Sequence, residues 1–255
     1  MKKISDYYNQ YFSIHLSRLH ESAKLALEYD RVYRFWSQGY IKKFLPQDKG
    51  ARILEVGCGL GWHLNALKRA GYTELTGVDI SPEQIEICHK IEGINFFVAD
   101  MFEFLSMREE AYDMIIAFDI LEHFDKEKAL ELCELAYKSL RSRGRFLVRV
   151  PNAASLLGLY ILYNDIILYN DITHKACYTE KSLRDLLTFA GFSRVEVLGL
   201  KPFISSDRKL WRKITKTIFY RPLTYTFSQL IRMLYLMQGG SVRVVEPNIL
   251  GVSTK

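Results

Sequence analysis

The sequence is poor in cysteine: Cys58, Cys88, Cys133 and Cys177 are the only four in 255 residues, and none forms a C-x-x-C pair. That scarcity excludes a disulfide framework and argues against a structural zinc site, so a reduced, cytoplasmic protein is expected. A long apolar run is also missing. The most apolar stretch, Ala153 to Tyr163, is about half the ~20 residues a membrane-spanning helix needs, and Asn164 and Asp165 interrupt it. The opening Met1-Lys2-Lys3-Ile4-Ser5-Asp6 runs into polar and aromatic residues with no apolar core of signal-peptide type. Neither an internal repeat nor a low-complexity tract is present, which excludes a solenoid.

What remains is ordinary globular composition, 49% hydrophobic and 25% charged. The length suits one large domain or a core with an insertion. The net charge of +6 is unevenly spread: between Lys201 and Arg243 nine basic residues face the single acid Asp207. The positive charge therefore belongs to one region.

Apolar and aromatic residues recur at helical spacing from Ser5 to Leu45, before Pro46. From Arg52 the pattern alternates. Arg52–Val56, Leu75–Asp79, Ile94–Ala99, Met114–Phe118, Arg145–Val150 and Val195–Leu200 read as strands, and Val242–Val245 with Ile249–Ser253 as the last. Trp62–Ala70, a segment opened by Ser81-Pro82-Glu83-Gln84, Asp125–Leu140 and Thr179–Ala190 read as helices between them. Such alternation means a doubly wound α/β domain with a mostly parallel sheet. The expected division is an N-terminal helical cap over 1–48, a core over 49–201 plus 242–255, and a basic helical insertion over 202–241.

Ligands in such sheets sit at the carboxyl ends of the strands. The first strand ends in Glu55-Val56-Gly57-Cys58-Gly59-Leu60-Gly61. A dinucleotide G-x-G-x-x-G would place its third glycine at 62, where this chain has Trp62. A tight glycine turn beside the carboxylate of Glu55 suits a cationic amine or sulfonium better than a pyrophosphate. Asp79 closes the second strand, where a carboxylate can accept both hydroxyls of a ribose. Asp100 closes the third, followed by Met101, well placed for an adenine amine and ring face. Either acid alone reads equally well as a helix cap. Three consecutive strands that each deliver an acid or a glycine turn to one sheet edge read as a cofactor site.

Glu55–Gly61, Gly77-Val78-Asp79-Ile80-Ser81, Val98-Ala99-Asp100 and Leu121-Glu122-His123 resemble the class I S-adenosylmethionine-dependent methyltransferases over roughly residues 31–200, with the last strand rejoining near 248–255. The resemblance implies a seven-stranded Rossmann-like sheet and S-adenosyl-L-methionine as cofactor. It assigns cofactor binding to Glu55, Gly57, Cys58, Gly59, Gly61, Asp79 and Ile80, and to Asp100, Met101 and Phe118. Val150-Pro151-Asn152, Asn170-Asp171-Ile172-Thr173-His174, Tyr178-Thr179 and Ala190-Gly191-Phe192 resemble a branch found in surface-polysaccharide and glycolipid synthesis. The acceptor implied is a sugar hydroxyl of a glycan, nucleotide-sugar or lipid-linked saccharide. A quinone-precursor type of small-molecule O-methyltransferase, a metal-dependent RNA 2′-O-methyltransferase and an inactive cofactor-binding subunit are the alternatives.

Transfer to an alcohol needs alignment and a base. His174 and His123 follow strands at the catalytic edge and are the candidate bases; His15, His20 and His89 read as solvated, and His63 as facing solvent. Asp119, Glu122, His123 and His174 also form a candidate divalent-metal set, similar to the Glu-x-x-Glu-His plus distant His of small-RNA 3′-terminal 2′-O-methyltransferases, with an aspartate one methylene shorter at the first position. The metal reading stands behind the metal-free one, in which Glu122 and His123 orient their loop. From Arg208 to Ile218 basic and apolar residues separate onto opposite helical faces, and an apolar stripe continues to Leu234. This region, 208–235, reads as a solvated face or as a peripheral contact with anionic lipid at the inner face of a membrane. Nucleic acid is disfavoured, because no appended binding module is present.

Overall fold

The computed structural model describes residues 26–30, 32–34, 40–155, 173–200, 226, 229–230, 233 and 248–255. After a short 3₁₀ turn at Tyr40–Phe44, strands and helices alternate: β1 (Ile53–Val56), α1 (Trp62–Arg69), β2 (Leu75–Asp79), α2 (Pro82–Cys88), β3 (Asn95–Val98), α3 (Met101–Ser106) and β4 (Tyr112–Phe118). A 3₁₀ turn at Leu121–His123 leads to α4 (Lys126–Ser139) and β5 (Leu140–Pro151), and the described chain ends with α5 (Glu180–Phe189), β6 (Arg194–Leu200) and β7 (Asn248–Thr254).

The seven strands form one sheet in the order β3-β2-β1-β4-β5-β7-β6. All neighbours are parallel except the two pairings of β7, which runs antiparallel between β5 and β6. This is the expected doubly wound sheet, of the Rossmann-like methyltransferase type. Its strand order reverses between β1 and β4, so the crevice outside their carboxyl ends is where a ligand fits.

Period-two alternation sends successive residues to opposite faces. Leu54 and Val56 of β1, with Ile115 and Ala117 of β4, meet Leu105 of α3, Leu132 of α4 and Leu183 of α5. On the other face Ile53, Met114 and Ile116 meet Leu64 and Leu67 of α1 and Ile85 of α2. All of these side chains are at most 1% exposed, and each of them larger than Ala117 contributes about 1.5–3 kcal/mol by burial.

Two boundaries differ from the sequence reading. The helix expected to run through Leu140 stops at Ser139, because the carbonyls of Lys138 and Ser139 accept the amides of Glu110 and Ala111. Leu140 then pairs with Tyr112, so β5 starts earlier than the expected Arg145. The expected strand over 242–245, most of the cap over 1–48 and nearly all of the insertion over 202–241 lie outside the described residues. Among the described residues no helix is long and apolar enough to cross a membrane.

Gly77, in the middle of β2, lies under the seam between α1 and β3. A Cβ there would approach Leu64 Cδ1 and Phe96 Cδ1 to 2.7 Å. Gly77→Ala should therefore lower stability by about 1–3 kcal/mol in urea unfolding. An unchanged midpoint would show that this seam can yield.

Candidate functional site

The turn after β1 is built so that backbone, not side chains, faces the crevice. Gly57 has φ +64°, and a Cβ on it would fall 2.0 Å from Ile120 Cδ1. The Gly59 amide donates to Asp79 Oδ2 at 2.8 Å, while the Ser81 amide donates to Asp79 Oδ1 at 2.9 Å. Asp79 thereby ties the end of β1 to the end of β2. Burial pushes its carboxyl above the usual range, against the amide hydrogen bonds from Ser81, Gly59 and Ile80 that favour the charged form.

A cleft opens over this turn. Gly57 and Gly59 line it with Asp79, Ile80, Ser81 and Gln84, as do Asp100, Met101 and Phe102. Phe118, Asp119, Ile120, His123 and Phe124 line the remaining end. Asp100 is also the N-cap of α3, its Oδ1 accepting the amides of Phe102 (2.8 Å) and Glu103 (3.2 Å). Cap and cleft wall, offered as alternatives by the sequence, are here the same residue. Ser81 precedes Pro82 as expected of a cap, yet its hydroxyl caps nothing; it is buried at the cleft with no hydrogen-bond partner.

Seven of the ten expected cofactor residues line this cleft: Gly57, Gly59, Asp79, Ile80, Asp100, Met101 and Phe118. Glu55, Cys58 and Gly61 do not. Glu55 shares the α1 face of β1 with Ile53, is 2% exposed, and has an oxygen, Oε2, without a hydrogen bond. Burial holds its carboxyl well above the usual range, with Arg149 opposing and Asp79 reinforcing. Cys58 packs in the apolar core beside Cys88, whose Sγ donates to the Gly59 carbonyl at 3.2 Å. Gly61, at φ +67°, starts α1, and a Cβ would meet Phe96 Cζ at 2.9 Å. Its glycine serves packing. His63, expected in solvent, is buried edge-on against Phe118 at 5.0 Å, and burial with Arg149 nearby keeps it neutral.

At the far end of the cleft Asp119 takes a left-handed conformation, φ +57°. Its amide donates to the Arg149 carbonyl at 2.8 Å, while Arg149 Nε donates to Oδ1 at 3.0 Å and the guanidinium also pairs with Oδ2. Burial alone would lower the Arg149 pKa; the Asp119 carboxylate, with Glu122 and Glu55, raises it overall. Arg149 was missed from sequence, although a lone cation in the apolar run Leu147–Val150 was an available signal.

This pairing corrects the expected metal set. Among the described residues Glu122, His123 and His174 bring ligand atoms within 4.8 Å of one another, while Asp119 is engaged by Arg149. Three of the four candidates assemble. The two histidines also differ. His123 lines the cleft; His174 is not among its lining residues and packs edge-on against His123, centroids 4.8 Å apart. His123 Nδ1 is hydrogen bonded to Thr173 Oγ1 at 2.7 Å. The loop carrying Thr173 and His174 is clamped onto the 121–123 turn: the amides of Lys175 and Ala176 donate to the Glu122 carbonyl at 2.7 and 3.1 Å, and the Tyr178 hydroxyl to the Leu121 carbonyl at 3.3 Å. Asn152 bridges to Tyr178 from the end of β5.

Comparison with known proteins places this geometry. The family described as methyltransferase domain matches residues 28–197. A ubiquinone biosynthesis O-methyltransferase of Xylella fastidiosa is 30% identical over 172 residues, 64% of this chain and 68% of that protein. The human mitochondrial ubiquinone biosynthesis O-methyltransferase is 27% identical over 165 residues, 59% of this chain but 44% of its own length. Among solved structures, a SAM-dependent methyltransferase of Archaeoglobus fulgidus superposes with a TM-score of 0.60 at 23% identity, covering 89% of this chain and all of that one. The magnesium protoporphyrin IX methyltransferase of Synechocystis, solved with S-adenosylhomocysteine (SAH) bound, gives 0.54 at 21% identity over 77% of this chain and 92% of its own.

A carboxyl whose pKa is raised in the folded state contributes stability that is complete below its unfolded pKa and is lost as pH rises through the folded value. Glu55 is such a group. Glu55→Gln removes the titration, so its stability relative to the parent should improve as pH rises above the ordinary glutamate range in urea unfolding, whatever the offset at low pH. A pH-independent difference would mean that Glu55 titrates alike folded and unfolded.

Proposed function

The chain belongs to the methyltransferase domain family, the class I S-adenosylmethionine-dependent methyltransferases, and on that footing we propose that it is an O-methyltransferase in which His123 takes the proton of the acceptor hydroxyl. The observation that carries this is the imidazole of His123 in the wall of the same cleft that Asp79 and Asp100 line.

The residues present fit the cofactor. Ser81 offers a buried hydroxyl with no protein partner, Gly57 brings bare backbone to the cleft lining, and the two Asp79 oxygens, each accepting an amide from Gly59 or Ser81, have further lone pairs for ribose hydroxyls. Asp100 keeps Oδ2 for the adenine amine, and Met101 and Phe102 supply apolar faces. Bound there, S-adenosylmethionine supplies a methyl group on a sulfonium, whose transfer leaves the neutral thioether SAH. The chain's own part is to align the acceptor and hold its proton on His123, which then returns it to solvent.

For the acceptor we favour a sugar hydroxyl of a glycan, nucleotide-sugar or lipid-linked saccharide. In support, four residues from the segments that resemble the polysaccharide branch gather about the 121–123 turn: Asn152 against Tyr178, Tyr178 on Leu121, and Thr173 with His174 beside His123. A lipid-linked acceptor would also give the basic 208–235 region a role at an anionic membrane surface. A phenolic hydroxyl of quinone-precursor type is the second reading, favoured by the relatives named above.

Calorimetric titration of the full chain with SAH should show binding, and Asp79→Ala should weaken it by about 10- to 100-fold, the worth of hydrogen bonds to a charged group. No binding by the parent chain would overturn the cofactor site, whereas binding without methyl transfer to any acceptor would point to an inactive supporting subunit. With labelled S-adenosylmethionine, label should move to nucleotide-sugars or polyprenyl-linked saccharides; movement only to polyprenylated catechols would replace the sugar reading with the phenolic one. His123→Ala should cost about 10²–10⁴ in turnover with SAH affinity held. Wild-type turnover would reject His123 as base.

A further inference from the structure

We propose that Thr173 is a positioning residue: by accepting a hydrogen bond from Nδ1–H of His123, it leaves Nε2 of that ring as the bare nitrogen that takes the acceptor's proton. The inference rests on the reading of His123 as base and adds what fixes its tautomer.

A neutral imidazole carries its proton on one nitrogen and offers a lone pair on the other, so whatever engages Nδ1 decides what Nε2 can do. Thr173 Oγ1 stands 2.7 Å from Nδ1, and Thr173 is 1% exposed, so water does not compete for that position. The hydroxyl cannot drift away from the ring, because its loop is fastened to the turn that carries His123. Lys175 and Ala176 both donate to the Glu122 carbonyl, and the Tyr178 carbonyl accepts the Ala153 amide at 2.8 Å. Ring rotation is restricted as well. His174 packs edge-on against one side of His123, and His123 forms part of the cleft wall. A pair of residues 50 apart in sequence is thus held as a unit by backbone hydrogen bonds together with the Tyr178 hydroxyl on the Leu121 carbonyl.

The arrangement differs from an aspartate-backed histidine in its charge. A threonine hydroxyl directs the proton without bringing a charge of its own to Nδ1, so it sets the tautomer and leaves charge stabilisation of an imidazolium to the Glu122 carboxyl, one oxygen of which lies within 4.8 Å of the ring's ligand atom. The effect on turnover should accordingly be smaller than for a lost carboxylate partner. We expect about 10- to 100-fold, at the low end of what a positioned base supplies.

The test uses the full chain saturated with SAH and needs no knowledge of the acceptor. Imidazole ¹⁵N chemical shifts of His123, assigned by difference with His123→Gln, are read at a pH where the ring is neutral. The parent chain should show a protonated Nδ1 and a bare Nε2, and Thr173→Ser should keep that pattern. Thr173→Val, which retains the shape and removes the hydroxyl, should move proton population onto Nε2. SAH affinity should stay within about 3-fold in both variants, since Thr173 does not line the cofactor end of the cleft. With an acceptor in hand, turnover should fall in Thr173→Val and recover in Thr173→Ser. A parent spectrum with the proton on Nε2 would overturn the proposal, even if Thr173→Val failed to fold; so would a Thr173→Val spectrum identical to the parent. Failure of the O-methyltransferase reading looks different: the tautomer pattern would be present and no hydroxyl acceptor would turn over.

Discussion

The site depends on the ion pair between Arg149 at the end of β5 and Asp119 at the end of β4. A non-glycine residue at φ +57° is uncommon, and both the guanidinium and the Arg149 carbonyl hold Asp119 there. That conformation turns the chain sharply off the sheet. Ile120 is directed under Gly57, and the 121–123 turn is set where Glu122 can receive the 175–176 amides. Without the clamp the cleft would lose its floor and its histidine together.

The same guanidinium organises the charge beneath the cleft. It faces Asp119, Glu122 and Glu55, and its field adds to burial in keeping His63 neutral. That cation engages Asp119, which stands outside the Glu122–His123–His174 group among the described residues. The histidine that lines the cleft is held at Nδ1 by a neutral hydroxyl, and Glu122, which faces Arg149, also comes within 4.8 Å of it, so the acid links the proton-handling part of the wall to the charged part.

Much of this was readable from residues in order. Strand ends are easy to find where apolar runs stop at Gly57, Asp79 and Asp100, and all seven strands of the described sheet lie where alternation put them, give or take their ends. What was harder is direction. Glu55 stands two residues before Gly57 and looked like part of the ligand shell, but alternation puts it with Ile53 under α1; reading period two through the motif would have removed it. His63 was misread for a related reason: a polar residue opening an amphipathic helix looks solvent-facing until the ring of Phe118 is known to lie against it. Arg149 and Thr173 matter only through partners 30 and 50 residues away, and such separations leave no mark on local pattern. The choice between His123 and His174 needed the same long-range information.

The placement of β7 has a consequence for how the molecule comes together. β7 is the last strand in chain order, yet it lies inside the sheet, joining β6 to β5 by antiparallel pairing on both its edges. Until it inserts, α5 and β6 have no sheet to pair with, and β5 presents an open edge. The assembly order is therefore not the chain order: the crevice between β1 and β4 can take shape from local βαβ contacts, whereas the far flank waits for a long-range closure across the 201–247 stretch. Length changes in that stretch should alter the speed of closure far more than the shape of the crevice, because the pairings of β7 lie on the far side of β5 from β1 and β4.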